Sequence, residues 1–410
     1  MNSNEILSYA PSEGCAEVIK LRTISCILLL ALLLSSCTES KTPSPSAKSY
    51  DFEIIPDDEA AQIADIAKKT IQLQNTRAIV FKEAQEGQKL RGVHPKSHGC
   101  VVGNFEINKD IAPNLQVGLF SKPGKRYKTL IRYSNASVRL SPDLENGENG
   151  SRGMAIKIFD VDGEMLVKDK GANNQDFLMI NTPAFAFPNV RSYQRLTNAL
   201  LASPSGVDPR AAFAEGSDWT DEDRENLKKT LKSLGQIKSK IVRNPLEVQY
   251  FAAAPSTFGN DRVMKFSAAP CGGEKTQIPF NDPSEATPNY LHEALASTMS
   301  QGENVCFDLK IQVQSIDQVK ADRKNSDVSK GDLIEDATRE WDKIPFLNVA
   351  KITIPTPQAV DLADPTQQDC KSQAFNPWHS LAEHKPLGGI NRLRRPVYIN
   401  SADNRRLGKL

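Results

Sequence analysis

Three stretches carry residue types that can do chemistry. In the first, Leu90 to Glu106, the residues Arg91, Val93, His94, Pro95 and Lys96 lead directly into the apolar run Val101 to Ile107. Its alternation reads as a strand with one buried face. A histidine is thereby held at the mouth of a buried strand beside fixed positive charge, a position suited to proton transfer. The second stretch, Gln175 to Pro183, is a strand ending in Ile180 and Asn181, with Ala184 and Phe185 after it. The third is the tail from Phe375 to Tyr398, dense in Arg, Gly and aromatic residues. There Arg394 and Tyr398 stand four apart, the spacing that meets on one helix face. Pro396 between them would cost such a helix about 3 kcal/mol.

The elements that must position these groups follow from periodicity. Asp57 and Asp58 open a helix reaching to about Gln74, with Ile63, Ile66, Thr70 and Ile71 on one face. Further strands are expected at Tyr127–Ser134, Ser151–Asp160, Val248–Ala254, Arg262–Ala268, Val305–Val313 and Phe346–Ile354. Helices are expected at Val190–Leu201, at Leu291–Met299, and after the cap Thr220-Asp-Glu-Asp223, where Leu227, Leu231 and Leu234 would form the apolar face. The total is about eight strands, with helical insertions after the fourth and the sixth. Pro and polar residues do not divide the strands into two sets. An α+β fold built on one closed antiparallel β-barrel is the simplest architecture, since closure removes edge strands. Arg132, inside the second strand, must find an anion or reach solvent.

The 410 residues include 51 basic and 50 acidic side chains, a balance that gives no case for nucleic acid. Hydrophobic residues make up 39%, enough for the core of one large domain. Pro95 argues against a helical two-histidine metal site at His94 and His98, and His292, His379 and His384 read as structural. No cysteine pair has zinc-ligand spacing, and there is no Gly-rich phosphate loop.

Lys20 and Arg22 precede the apolar run Ile27 to Leu34, too short to span a bilayer but fitted to a secretory signal. Leu34-Ser-Ser-Cys37 resembles the cleavage site of bacterial lipoproteins, in which the cysteine receives lipid. Residues 1–36 therefore read as a signal peptide, 37–51 as a flexible tether rich in Ser, Thr, Pro and Lys, and 52–410 as the functional domain. Thr38, in place of aspartate, points to the periplasmic face of the outer membrane. The long polar stretch ahead of Arg22 suggests a translation start near Val18. Cys100, Cys271, Cys306 and Cys370 follow Cys37 and allow three pairings. Cys271 ends one expected strand and Cys306 begins another, so that pair is the expected bridge in an exported protein.

Arg91-Gly-Val-His94-Pro-Lys96, followed by Gly99 and Gly103-Asn-Phe105-Glu106, resembles the distal-histidine segment of haem catalases, with one extra residue before Phe105. Arg132-Tyr133-Ser134 is similar to the family's Arg-Phe-Ser, and Arg152-Gly-Met-Ala-Ile-Lys-Ile-Phe159 to its Arg-Gly-Phe-Ala-Val-Lys-Phe run. Asn181-Thr-Pro183 resembles its Asn-Asn-Thr-Pro segment, and Arg394 with Tyr398 its proximal motif. Pro396 and Asn400 stand where that motif has Phe and Asp, and the tail looks closer to the shorter, peroxidase-like bacterial relatives of catalase. The resemblance implies an eight-stranded barrel with haem b against it, and His94 as the acid–base group. It implies propionate contacts from Arg91 and Arg132, ring contacts from Val93, Phe185, Tyr193 and Arg394, and Tyr398 as the iron ligand. A free phenol has a pKa near ~10; ferric iron and a guanidinium would favour its ionised form. In ungapped register the family's distal asparagine falls on Ile180, and neighbouring strand residues face opposite ways. Asn181 is the candidate to fill that role. The expected activity is peroxidase-like, on a peroxide with an undefined reductant. Alternatives are conversion of fatty-acid hydroperoxides and a non-catalytic haem-binding or scaffold lipoprotein. A homo-oligomer is compatible with the family, and the membrane is reached through the lipid anchor alone.

Overall fold

The computed structural model describes residues 50–407 except 80–83, 86–87, 146–147, 203–212, 215, 276–281, 326–330 and 362–363. The expected signal peptide, Cys37 and most of the tether lie outside the described residues.

All eight expected strands form: β1 Ser97–Ile107, β2 Arg126–Asn135, β3 Arg152–Ile158, β4 Gln175–Ile180, β5 Tyr250–Ala252, β6 Arg262–Pro270, β7 Val305–Ser315 and β8 Leu347–Ile354. Each pairs antiparallel with its neighbour in sequence. β8 returns to β1 through Ile352 opposite Phe105, so the sheet closes as an up-and-down barrel. Closure leaves no strand of the ring with an unpaired edge. The inward positions of alternate residues, among them Val101, Phe105, Ile131, Tyr133, Phe177 and Phe307, form one continuous core. The outward residues of β4 are buried as well, because the strand is covered on both faces.

Seven helices surround the barrel among the described residues: α1 Glu59–Ile79, α2 Val190–Ala202, α3 Asp221–Ser239, α4 Tyr290–Ser300, α5 Ile316–Asn325, α6 Pro365–Ser372 and α7 Gly389–Leu407. α1 runs past Gln74 because Gln74, Arg77 and Ala78 are themselves buried in tertiary contacts. α5 was not legible in the sequence: it is polar, and only Val319, with the half-buried Ile316, anchors it in a small cluster with Phe52 and Trp341. α3 begins with the expected capping box of Thr220 and Asp223. Its expected apolar face is buried only in part. Leu231 is 51% exposed, Leu227 and Leu234 are half-buried, and the fully buried side is Asn226, Thr230, Ser233 and Ile237. Small polar side chains let this helix lie close to its neighbours.

α7 continues as a helix through Pro396. What offsets the proline is docking. Arg392 binds Glu53, Glu59 and Glu335 at 2.6, 2.6 and 2.8 Å. Leu393 and Val397 pack on Ile66 and Ala67 of α1. Two disulfides are present. The expected Cys271–Cys306 bridge joins the β6–β7 pair, and Cys100–Cys370 ties β1 to α6 across 270 residues of sequence.

Candidate active site

The outer face of β2, β3 and β4 forms the floor of a cleft closed on its other side by a helix. Register explains which residues reach it. Arg132, Ala155 and Leu178 pair across the three strands, as do Ser134, Gly153 and Ile180. Both rows line the cleft. Glycine and alanine at the centre leave a floor open to a flat ligand.

His94 stands over one end of this floor, and its conformation is fully specified. Its φ is +56°, in the left-handed region that costs a non-glycine residue about 1–3 kcal/mol. Its backbone N–H donates to the Ser137 carbonyl at 3.1 Å, and its own carbonyl accepts from the Arg132 guanidinium at 2.8 Å. Nδ1 of the ring is 3.0 Å from the Ser134 hydroxyl, which leaves Nε2 for a substrate. The ring lies directly on Gly153, where a Cβ would come within 2.6 Å of Nδ1. Burial, then the charges of Arg132, Arg394 and Arg91, push the imidazole pKa down to about 3. His94 is therefore neutral near pH 7 and able to accept a proton.

The opposite wall is α7. Arg394, Val397, Tyr398, Ser401, Ala402 and Arg405 line the cleft, a spacing that places them on one helix face. The Arg394 guanidinium lies 5.5 Å from the centre of the Tyr398 ring. The two walls also touch at their edge: the Gly92 N–H donates to the Ser401 hydroxyl at 3.1 Å. Gln74 of α1 bridges them, donating to the carbonyls of Leu90 and Ser401 at 2.7 and 3.2 Å.

One end of the cleft is cationic. Arg91 donates to the carbonyls of Cys370 and Gln373 at 3.2 and 2.8 Å, and Arg405 to those of Lys371 and Gln373. These are carbonyls at the end of α6, which has no further turn to satisfy them. Among the described residues, neither guanidinium is paired with a carboxylate, and nor is that of Arg132. Burial and mutual repulsion lower all three: Arg132 to about 9, Arg405 to about 10, and Arg91 well below the usual arginine range. Buried cations held only by neutral carbonyls are the complement of an anion. A flat ligand with carboxylates at one edge fits such a site, and haem has that shape. Tyr398 borders the same cleft.

Val93, like His94, borders both this cleft and its wider continuation, where Phe185 and Tyr193 also lie. The two aromatic rings stack at 6.2 Å, and burial, then Tyr398, pushes the Tyr193 phenol up to about 12. Asn181 falls elsewhere. Ile180 faces the cleft, whereas Asn181 accepts the Arg152 backbone N–H at 2.7 Å and is fully buried. It belongs with Asn135 and Arg152 on the other face of the strands, the alternation that one step along a strand imposes. The expectation that Asn181 serves the pocket is thus corrected. The sequence reading also passed over Ser134, Gly153 and Arg405. Arg405 had a signal: it lies eleven residues after Arg394 and seven after Tyr398, on the same helical stripe.

Residues 58–358 match the catalase family model. A catalase of Staphylococcus epidermidis is 30% identical over 131 residues, which is 32% of this chain and 23% of that protein. Catalase C of Rhizobium meliloti is 27% identical over 144 residues, 35% of this chain and 18% of its own length. Among solved structures, a fungal catalase superposes with a TM-score of 0.57 at 19% identity, covering 81% of this chain and 62% of that one. Catalase A from Saccharomyces cerevisiae gives 0.57 at 18%, covering 81% and 63%. The chain thus spans less than a quarter of the curated relatives and under two thirds of the solved ones. The family match ends before Tyr398, so the proximal wall rests on the geometry above. Since the matched segment takes in most of the chain and the barrel superposes, the chain belongs to the catalase family.

Proposed function

We propose that this protein is a haem-dependent enzyme that consumes peroxide by peroxidase-type turnover. The observation that carries the reading is a single cleft with a neutral, immobilised imidazole on one wall, a tyrosine beside an arginine on the other, and three anion-seeking guanidiniums at one end. Haem b, when bound, supplies the ferric iron at which a peroxide O–O bond is cleaved. The residues do the rest. Tyr398 would hold the iron, with the Arg394 guanidinium lying over its ring. Arg91, Arg132 and Arg405 hold the propionates. Nε2 of His94 takes the proton from one peroxide oxygen and returns it to the other, so that water or an alcohol leaves. Ser134 orients the ring for both steps. Ile180 offers no hydrogen bond at the position where a second polar group would orient hydrogen peroxide, which favours oxidation of a reductant over dismutation.

The wider continuation of the cleft supports a second reading. Phe185, Phe187, Leu196, Leu234, Ile237 and Leu393 line it, an apolar surface suited to an organic or fatty-acid hydroperoxide. The two disulfides favour an oxidising compartment, in keeping with export and lipid attachment at Cys37. The test is the haem-loaded protein with hydrogen peroxide and with a lipid hydroperoxide. A tyrosinate-type ferric spectrum, lost in Tyr398→Phe, and turnover lowered about 10²–10⁴-fold in His94→Ala are expected. A haem-loaded protein that reacts with peroxide equally well after His94→Ala would sink the enzyme reading in favour of a haem-binding lipoprotein. Rapid oxygen release from hydrogen peroxide would overturn the peroxidase preference.

A further inference from the structure

Arg91, Arg132 and Arg405 are shared with a second cleft on their other side. It is an open cleft of about 540 Å³ between the segment at Lys89–Ser97, the start of α4, α6 and the end of α7. Lys89, Lys96 and Lys371 add to its lining, and no Asp or Glu is present among the described residues that line it. Lys96 is answered from behind the wall by Asp143 at 2.8 Å. Lys89 has a neutral partner, the Asn404 side-chain oxygen at 3.3 Å. The nearest acid to Arg405, Asp169, is taken by Arg406 at 2.6 Å.

We propose that this outer cleft binds a small polyanion, one molecule carrying two or more carboxylate or phosphate groups, beside the cofactor edge. The proposal rests on the haem reading through its charge balance. The two propionates of a haem would neutralise two of the three guanidiniums of Arg91, Arg132 and Arg405, and the third, with Lys89 on the outer side, is left for an outer anion. Arg132 and Arg405 are only 6% and 7% exposed, so this surplus is not dispersed by water. Guanidinium forks match carboxylate and phosphate oxygens equally well. Pro95, Pro142 and Pro288 in the walls hold the cleft open without side-chain ordering. His292, whose Nδ1 donates to the His98 carbonyl at 2.7 Å, presents Nε2 to the same space. A ligand seated here would lie on the far side of the guanidiniums from His94, leaving the peroxide path clear.

The experiment titrates haem-loaded protein with citrate, with pyrophosphate, and with acetate as the single-charge control, by calorimetry. At least one polyanion binds, acetate binds about ten-fold more weakly or worse, and added salt weakens the binding. Lys89→Glu and Lys371→Glu each weaken it about ten-fold or more while the haem spectrum stays unchanged. The better of citrate and pyrophosphate identifies the carboxylate or the phosphate source. Absence of binding at millimolar polyanion overturns the proposal, and so does an affinity unaltered in Lys89→Glu. If the protein takes up no haem, the peroxide reading fails on its own. The same titration on haem-free protein then decides this one, dependence on Lys89 upholding it and independence sinking it.

Discussion

The two walls of the cleft hold their key side chains by opposite means. His94 is fixed locally: a left-handed backbone, a bond at each of its own N–H and C=O groups, Ser134 at its ring and Gly153 beneath it. Tyr398 sits on a regular helix and is fixed as part of a rigid body. Arg392 clamps that helix to three glutamates, Leu393 and Val397 pack it on α1, and Asn391 donates to the Pro255 carbonyl at 2.9 Å. The first wall should fail through displacements of an ångström at a single residue, the second through loss of docking far from the tyrosine. The Cys100–Cys370 bridge belongs to both, since it joins β1 to the short helix whose end carbonyls grip Arg91 and Arg405.

Breaking that bridge should have the largest effect. In the chain-entropy picture a loop of 270 residues contributes about 5–6 kcal/mol. Cys370→Ser is expected to lower the denaturant midpoint accordingly and to speed haem loss, the latter measured by transfer to a haem scavenger; an unchanged midpoint would show that the bridge clamps nothing. Next comes the helix-docked wall. Arg392→Ala leaves Glu53, Glu59 and Glu335 buried without their cation, at a cost of about 3–5 kcal/mol. A fall in Tm with loss of the tyrosinate spectrum is expected, while a spectrum kept at lowered Tm would mean the helix docks by packing alone.

Acid sharpens the comparison from the histidine side. His94 and His98 are held down to about 3 and His384 to about 4, each by burial first. Unfolded, each titrates near 6.5. Between these values the unfolded chain binds protons that the folded state refuses, so stability falls as pH drops from about 6.5 toward 3 and is restored above it. Each histidine contributes up to a few kcal/mol at about the lower end of that window. Unfolding of haem-free protein by denaturant at pH 7 and pH 4 checks the sign, and equal stability at both would contradict the burial of neutral imidazoles. The smallest effect expected is Gly153→Ala. Overpacking against the His94 ring costs about 1–3 kcal/mol. Turnover should drop about ten-fold or more while the haem spectrum is retained, separating the imidazole wall from the tyrosine wall in one variant.

Much of the barrel was legible because strand alternation is a local pattern, and all eight strands lie where that pattern placed them. The helices were read less well. α3 buries Asn226, Thr230 and Ser233 more deeply than Leu227 and Leu234 and leaves Leu231 exposed, and α5 has almost no apolar face to read. In the site, His94, Arg132 and Tyr398 were singled out by the resemblance of their segments to catalase motifs. Ser134 and Gly153 were not, because their roles come from the register of β2 on β3, and no spacing along the chain encodes it.

By itself the sequence determined the strand and helix periods, the candidate imidazole and phenol, and that Ile180 and Asn181 face opposite sides of their strand, because side-chain direction along a strand follows from position alone. Only the tertiary structure decided that Ile180 and not Asn181 faces the cleft, that His94 is neutral, that three arginines converge with no carboxylate paired to them among the described residues, and that Cys100 meets Cys370. Burial, mutual repulsion and long-range closure depend on which distant segments share a space, and a linear pattern carries no record of that.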